Sequence, residues 1–322
     1  MLAVALIGML GAGSLLAQGT PTGALRLDSN RFTVLHYPRD AAMARAVLEA
    51  ATMRDSFPAL PRSTERIVIL IAPDAATFRK WAGTSAFAWA AAVAFVDQRR
   101  VVIQGGSAPS DAGNPIQVLR HELAHIALHD YLGDLPPRWF EEGYASYAAG
   151  EERTEGFVAT NVALVFRRMP TLAGLDTMLA SRVTSDAQAA YALSLHAVSD
   201  LASIDRERGL EPLITAWKSR RSFDLALRRS YAITAERFES DWRSRARWQY
   251  AFLAIGADSV LAVALMALGI IPLWRSRRRA QRERLDAMRA REAITERASQ
   301  SEALDVLIRA IASKPARSDA DA

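Results

Sequence analysis

The stretch VLRHELAHIALHDYLGDLPPRWFEEGYASY, Val118 to Tyr147, constrains the fold more than any other part of the chain. His121, His125 and His129 recur at four-residue intervals, and Glu141 and Glu142 follow beyond a proline pair. Asn114-Pro115 supplies an N-cap with proline at the first helical position, which predicts a helix through His129. Pro136-Pro137 opens a second helix, and the GDLPPR turn folds it back alongside the first. In HELAH the two histidines share one helical face, so both imidazoles can grip one ion through bonds of about 2.0–2.1 Å. Glu122 lies beside that face, placed to reach a water rather than the ion, as a general base must. A catalytic ion needs a third protein ligand and an open position. Either Glu141 or Glu142 can supply it, the two standing about 100° apart round the helix axis. His129 adds a further turn, but a tetrahedral site cannot use three successive turns of one straight helix, which leaves it a surface or supporting place.

HELAH followed after sixteen residues by EGYASY resembles the gluzincin branch of zinc metallopeptidases, in particular the membrane-anchored bacterial proteins with an aminopeptidase-like catalytic domain called peptidase MA-like. Trp139, Glu142, Gly143 and Ala145 stand at the places of that family's Trp-x-x-Glu-Gly-x-Ala segment. The resemblance implies Zn²⁺ as cofactor, His121, His125 and Glu142 as its ligands, Glu122 as catalytic base, and a peptide or protein as substrate. It also implies an oxyanion donor from a later helix, for which Tyr191 and His196 in AAYALSLHAV are the candidates and Tyr191 the preferred one. The chain departs from the aminopeptidases of the broader group. Where they carry a Gly-x-Met-Glu-Asn type strand that binds a free amine, this chain reads AWAAAVAFVDQRRV, with no carboxylate before Asp97. Exopeptidase action on N-termini is therefore not expected, although a strand there can still hold an extended peptide by main-chain hydrogen bonds.

The fold these features imply is α+β: a zincin-like metallopeptidase domain with a small β-sheet half and a helical half, the metal lying in the cleft between them, followed by a C-terminal transmembrane helix. RFTVLHY, RIVILIA and AFVDQRRVVIQ are β-rich, the last reading as a hairpin. Helices are expected over Ala41 to Asp55 and near Ala75 to Trp81, and the pattern turns helical from Asn114 onward. This divides an ectodomain, 19–250, into a β-rich part, 30–106, and a helical part, 114–250. Trp139, Tyr144 and Tyr147 recur near helical spacing and read as packing residues.

The two ends carry targeting signals. Residues 1–18 are apolar, with small residues near Ala17, and read as a signal peptide. Phe252 to Leu273 is long enough to cross a bilayer, with Trp248, Tyr250 and Trp274 as flanking aromatics, which sets a transmembrane helix at 251–274. Arginines from Arg275 to Arg289 outnumber those just before the segment, so the charged tail, 275–322, is expected in the cytoplasm and the catalytic domain outside it. The basic balance, net charge +5, comes largely from that tail rather than from a clustered folded face, which argues against nucleic acid as a partner. The chain has no cysteine, so any metal is held by His, Asp or Glu. Two other readings compete with a membrane-anchored peptidase. One is a catalytically silent pseudopeptidase acting as an envelope scaffold, and the other is an assembly protein working through its tail.

Overall fold

The computed structural model describes residues 6–7, 21–83, 91–106, 114–151, 169–181 and 183–248, all within one compact unit that spans Met1–Ala254. Apart from Leu6 and Ile7, the expected signal peptide lies outside the described residues, as do the transmembrane helix at 251–274 and the tail at 275–322. Among the described residues no helix is long and apolar enough to cross a membrane.

The architecture is α+β, a small mixed sheet followed by a helical half. Strands β1 (Leu6–Ile7), β2 (Leu25–Ser29), β3 (Phe32–His36), β4 (Ile67–Ala72), β5 (Ala92–Phe95) and β6 (Arg100–Gln104) stand in the order β1-β5-β6-β4-β3-β2. β4 runs parallel to both β3 and β6, and β5 and β6 form the antiparallel hairpin that the sequence predicts, with Phe95 opposite Arg100. β2 is an element the sequence reading missed. It pairs antiparallel with β3 through the tight turn at Asn30-Arg31, where Asn30 adopts φ 50°, a conformation asparagine tolerates better than most residues. The outer edge of β5 is taken by β1, with Ile7 opposite Ala94 in parallel register, so the strand expected to hold an extended peptide has a neighbour on that side.

The central strands are buried on both faces, as continuous apolar runs such as IVILIA require. On one face Phe32, Val34, Ile69, Ile71, Val101 and Ile103 join the main core. On the other, Leu35, Leu70, Val93, Phe95 and Val102 pack with Phe78 and Trp81. These two aromatics belong to α2 (Ala75–Ala82), whose Asp74 side chain caps the helix by accepting from Thr77 N at 2.7 Å. α1 (Ala41–Met53) covers the main-core face through Ala44, Val47 and Ala51.

The helical half begins with α3 (Pro115–Leu132), capped by the Asn114 side chain, which accepts from Ile116 N at 2.9 Å. Every residue from His121 to Leu128 is buried. A helix buried all round is a central element, and α3 lies between the sheet and α4 (Arg138–Ala149). Then come α5 (Leu172–Leu179), α6 (Thr184–Ile204), α7 (Glu211–Arg220), α8 (Phe223–Tyr231) and a last helix, α9, through 235–248. Phe140 meets Trp217 at 4.9 Å between ring centroids, and Trp217 meets Phe223 at 4.8 Å, so an aromatic cluster ties α4 to α7 and α8. Trp139 joins it at 5.8 Å from Phe223, and Tyr144 is buried with its hydroxyl donating to Pro58 O at 2.7 Å.

α4 and α6 touch backbone to backbone at Gly143. A Cβ built there would stand 2.4 Å from Ser194 O and 2.8 Å from Val198 Cγ2. The glycine of the EGYA segment is thus a packing requirement that brings Glu142, on α4, close to α6. Gly143→Ala is expected to force the two helices apart and to destabilise the protein by about 1–3 kcal/mol, the usual cost of overpacking. Chemical denaturation of the variant against the parent checks this, and an unchanged midpoint would show that the crossing is looser than described.

Candidate metal centre

The helix pair brings His121, His125 and Glu142 together. Their ligand atoms all lie within 4.8 Å of one another, and all three residues are buried. Glu142 Oε2 stands 3.6 Å from His121 Nε2 and 3.6 Å from His125 Nε2. That is too long for a hydrogen bond, yet two atoms bound at about 2.1 Å to one tetrahedral ion stand about 3.4 Å apart. The chemistry of the donors agrees with this geometry. His121 Nε2 and both ring nitrogens of His125 are buried without a hydrogen-bond partner. Buried polar atoms are normally paired, and a cluster of unpaired ones converging on one point fits a cation.

Each side chain is placed by its element. His121 and His125 are one turn apart on α3, with ring centroids 4.9 Å apart. Glu142 sits one turn into α4, with Arg138 Nε 3.8 Å from its Oε1. Glu141, the competing carboxylate, is about 100° round the axis and is not in the convergent group. His129 lies at the rim, with Nε2 3.5 Å from Asp97 Oδ1 and 3.3 Å from Asp134 Oδ1, consistent with the supporting or surface place its position predicts.

Electrostatics separate the carboxylates. Burial pushes Glu122 up to about 8, with the Glu142 charge adding to the rise and His121 opposing it. Burial would raise Glu142 too, but the facing imidazoles of His121 and His125 carry it down to about 2. Burial lowers His125. His121 runs the other way, because Glu151 and Glu142 overcome its burial and hold it up at about 10. Glu141 is raised to about 8 by burial and by its neighbour Glu142.

Of the two candidates for an oxyanion donor, Tyr191 is buried close to the site. Its hydroxyl is pushed well above the ordinary tyrosine range, by burial first and by the charge of Glu142 next, so it stays a proton donor. His196 belongs elsewhere. Five residues on, it is turned about 140° round α6, where its Nδ1 accepts from Trp242 Nε1 at 3.2 Å and helps to seat α9. The sequence reading missed Glu151 altogether. It follows Gly150 at the end of α4, and its Oε1 lies 2.8 Å from His121 Nδ1. Nothing in the local sequence separates it from a solvated acidic residue. The available signal is chemical: a ligating imidazole ordinarily needs a carboxylate or carbonyl behind it.

A sheet packed on a helix that carries an HExxH pair, with a glutamate returned from the following helix, builds a site able to hold a metal ion. Residues 71–247, more than half of the chain, match the family model of the Peptidase MA superfamily, and the chain belongs to that superfamily. Membership points to a peptidase acting on peptide or protein substrates. No curated protein matches the chain significantly.

One consequence is measurable without a substrate. With His121 held at about 10, the metal-free protein carries it protonated at neutral pH, whereas a ligand imidazole must offer a lone pair. Uptake of a divalent ion at pH 7 is therefore expected to release at least one proton per ion, from His121, with affinity rising as pH climbs toward 10. Calorimetric titration in buffers of different ionisation enthalpy reads the proton count, and zero release would contradict a charged His121.

Proposed function

We propose that the chain is a zinc-dependent endopeptidase of the gluzincin type, with His121, His125 and Glu142 holding Zn²⁺ and Glu122 acting as general base. The observation that carries this reading is that the Nε2 atoms of His121 and His125 each stand 3.6 Å from Glu142 Oε2, all three residues being buried. Three protein ligands of His₂Glu type leave one position for chemistry, as catalytic zinc requires. When bound, the ion supplies a Lewis acid that polarises the scissile carbonyl and eases deprotonation of water.

The remaining steps belong to the chain. Glu122, adjacent in sequence to His121 and turned aside from the ligand face, takes the proton of the attacking water and passes it to the leaving amine. Burial and the nearby Glu142 charge make its carboxylate more basic than an exposed one, which favours accepting a proton from water. The Ala94 amide also acts on Glu122, which brings the β5 backbone close to the reacting centre. Tyr191, kept protonated, offers its hydroxyl to the developing oxyanion. The absence of a carboxylate between Ala88 and Val96 supports internal cleavage over removal of N-terminal residues. The apolar segment at 252–273 with its basic flank supports single-pass anchoring in a bacterial membrane, the catalytic domain outside and the C-terminus in the cytoplasm.

The test uses the full chain in detergent with casein as substrate. Zinc should co-purify near one ion per chain, a chelator should abolish cleavage and zinc should restore it. Glu122→Gln should keep the metal and lose about 10²–10⁴-fold in rate, the usual contribution of a general base. A protein that binds zinc but cleaves nothing would instead support the silent scaffold reading, and chelator-resistant cleavage would remove the metal from the mechanism.

A further inference from the structure

Glu151 is the best-placed of the groups that the proposed chemistry does not use. Its Oε1 meets His121 at Nδ1, on the side of the ring away from Nε2, which faces Glu142. Glu151 is therefore not a member of the convergent ligand group. It stands behind it.

The way the chain reaches this position is built in several layers. α4 ends at Gly150, whose φ of 66° and ψ of 36° lie in the left-handed region that glycine enters without strain. Glu151 N donates back to Ser146 O at 3.1 Å, and Gly150 N donates to Tyr147 O at 3.2 Å. This closes the helix as a glycine C-cap and turns the chain toward α3. Two side chains of α3 then hold the end of α4. Arg120 Nε donates to Ala148 O at 2.7 Å, and Gln117 Nε2 donates to Gly150 O at 3.3 Å. Gln117 is one turn before His121 and Arg120 is its neighbour, so both clamps act at the level of that imidazole. Arg120 is itself fixed to the β-half, through Arg54 O at 2.8 Å, Ser56 O at 3.0 Å and the face of Phe57.

The second ligand histidine has no such support. Among the described residues His125 Nδ1 makes no hydrogen bond. From this asymmetry, and resting on the metal-binding reading above, we propose that Glu151 is a positioning residue. It fixes His121 with the proton on Nδ1 and the lone pair of Nε2 directed at the ion, and the Gly150 turn with its Arg120 and Gln117 clamp exists to deliver it. Carboxylate partners of ligating histidines commonly govern metal affinity by about 10- to 100-fold.

The experiment uses the full chain loaded with Co²⁺, whose visible absorption reports ligand geometry, and measures the cobalt dissociation constant by chelator competition. Glu151→Ala should weaken cobalt binding by about 10- to 100-fold and alter the spectrum. Glu151→Gln should recover part of the affinity, because its amide oxygen can still accept from Nδ1. The glutamine variant also keeps the shape of the turn and stays informative if the alanine variant folds poorly. Parental affinity and an unchanged spectrum in both variants would overturn the proposal and leave the metal site standing. A parent protein that takes up no cobalt would remove both.

Discussion

The helical half is organised around a burial problem. Two carboxylates and two imidazoles, on Glu122, Glu142, His121 and His125, occupy a volume from which solvent is excluded. An unpaired ionised carboxylate in such a place costs several kcal/mol, a large part of the 5–15 kcal/mol by which a domain is usually stable. The chain compensates in part by placing Glu142 between two imidazoles and Glu151 behind one of them. What it leaves is a set of buried ring nitrogens and carboxylate oxygens aimed at a common point. A cation bound there would stabilise the fold, because binding to the folded state alone adds directly to stability.

Positioning those groups falls to contacts remote from them. The close approach at Gly143 sets the spacing of α4 and α6, so Glu142 and Tyr191, on different helices, share one environment. The Phe140, Trp217 and Phe223 cluster holds the other side of α4. Trp139 N donates to Asp176 Oδ1 at 2.7 Å, satisfying an amide in the first turn of α4 from α5. α3 is held on its far side mainly by the sheet, with Arg120 tying it to Arg54 O and Ser56 O. The helices carrying the two histidines and Glu142 are thus fixed by different means, α3 mainly by the sheet and α4 by tight helix contacts.

How much of this the sequence discloses depends on whether the determinant is local. The Asn114-Pro115 cap, the four-residue histidine spacing and the β5–β6 hairpin are properties of neighbouring residues, and each occurs where the sequence places it. The choice of Glu142 over Glu141 rests on which way α4 is rotated, a tertiary fact that the residue pattern alone left open and the family resemblance decided. Glu151 and His196 illustrate the remaining loss. The first acts through a glycine turn and a clamp from another helix, and the second is used by Trp242, far along the chain. In both, the partner sits at a distance in sequence that no short-range pattern encodes. β2 was missed for a smaller reason: its alternation in LRLDS is clear only once Asn30 is read as a turn residue.

The deepest constraint on mechanism is the contrast between two carboxylates one helix apart. Glu122 and Glu142 are equally inaccessible, so desolvation alone would raise both. Glu142 faces two imidazoles and falls to about 2, while Glu122 rises to about 8 because burial outweighs the opposing charge of His121 and the like charge of Glu142 adds to it. One is thereby suited to remain an anion and hold a cation. The other is suited to change protonation near neutral pH. Pairs of titratable groups pushed apart in this way mark a division of labour between electrostatic support and proton transfer. A scaffold would need only the first of these roles, and nothing in the packing of α3 calls for an acid at position 122, where an apolar residue would fill the same volume without the desolvation cost. An ionisable group at position 122 thus carries a desolvation cost that packing does not call for, and under the proposed reading its use is the proton it can carry.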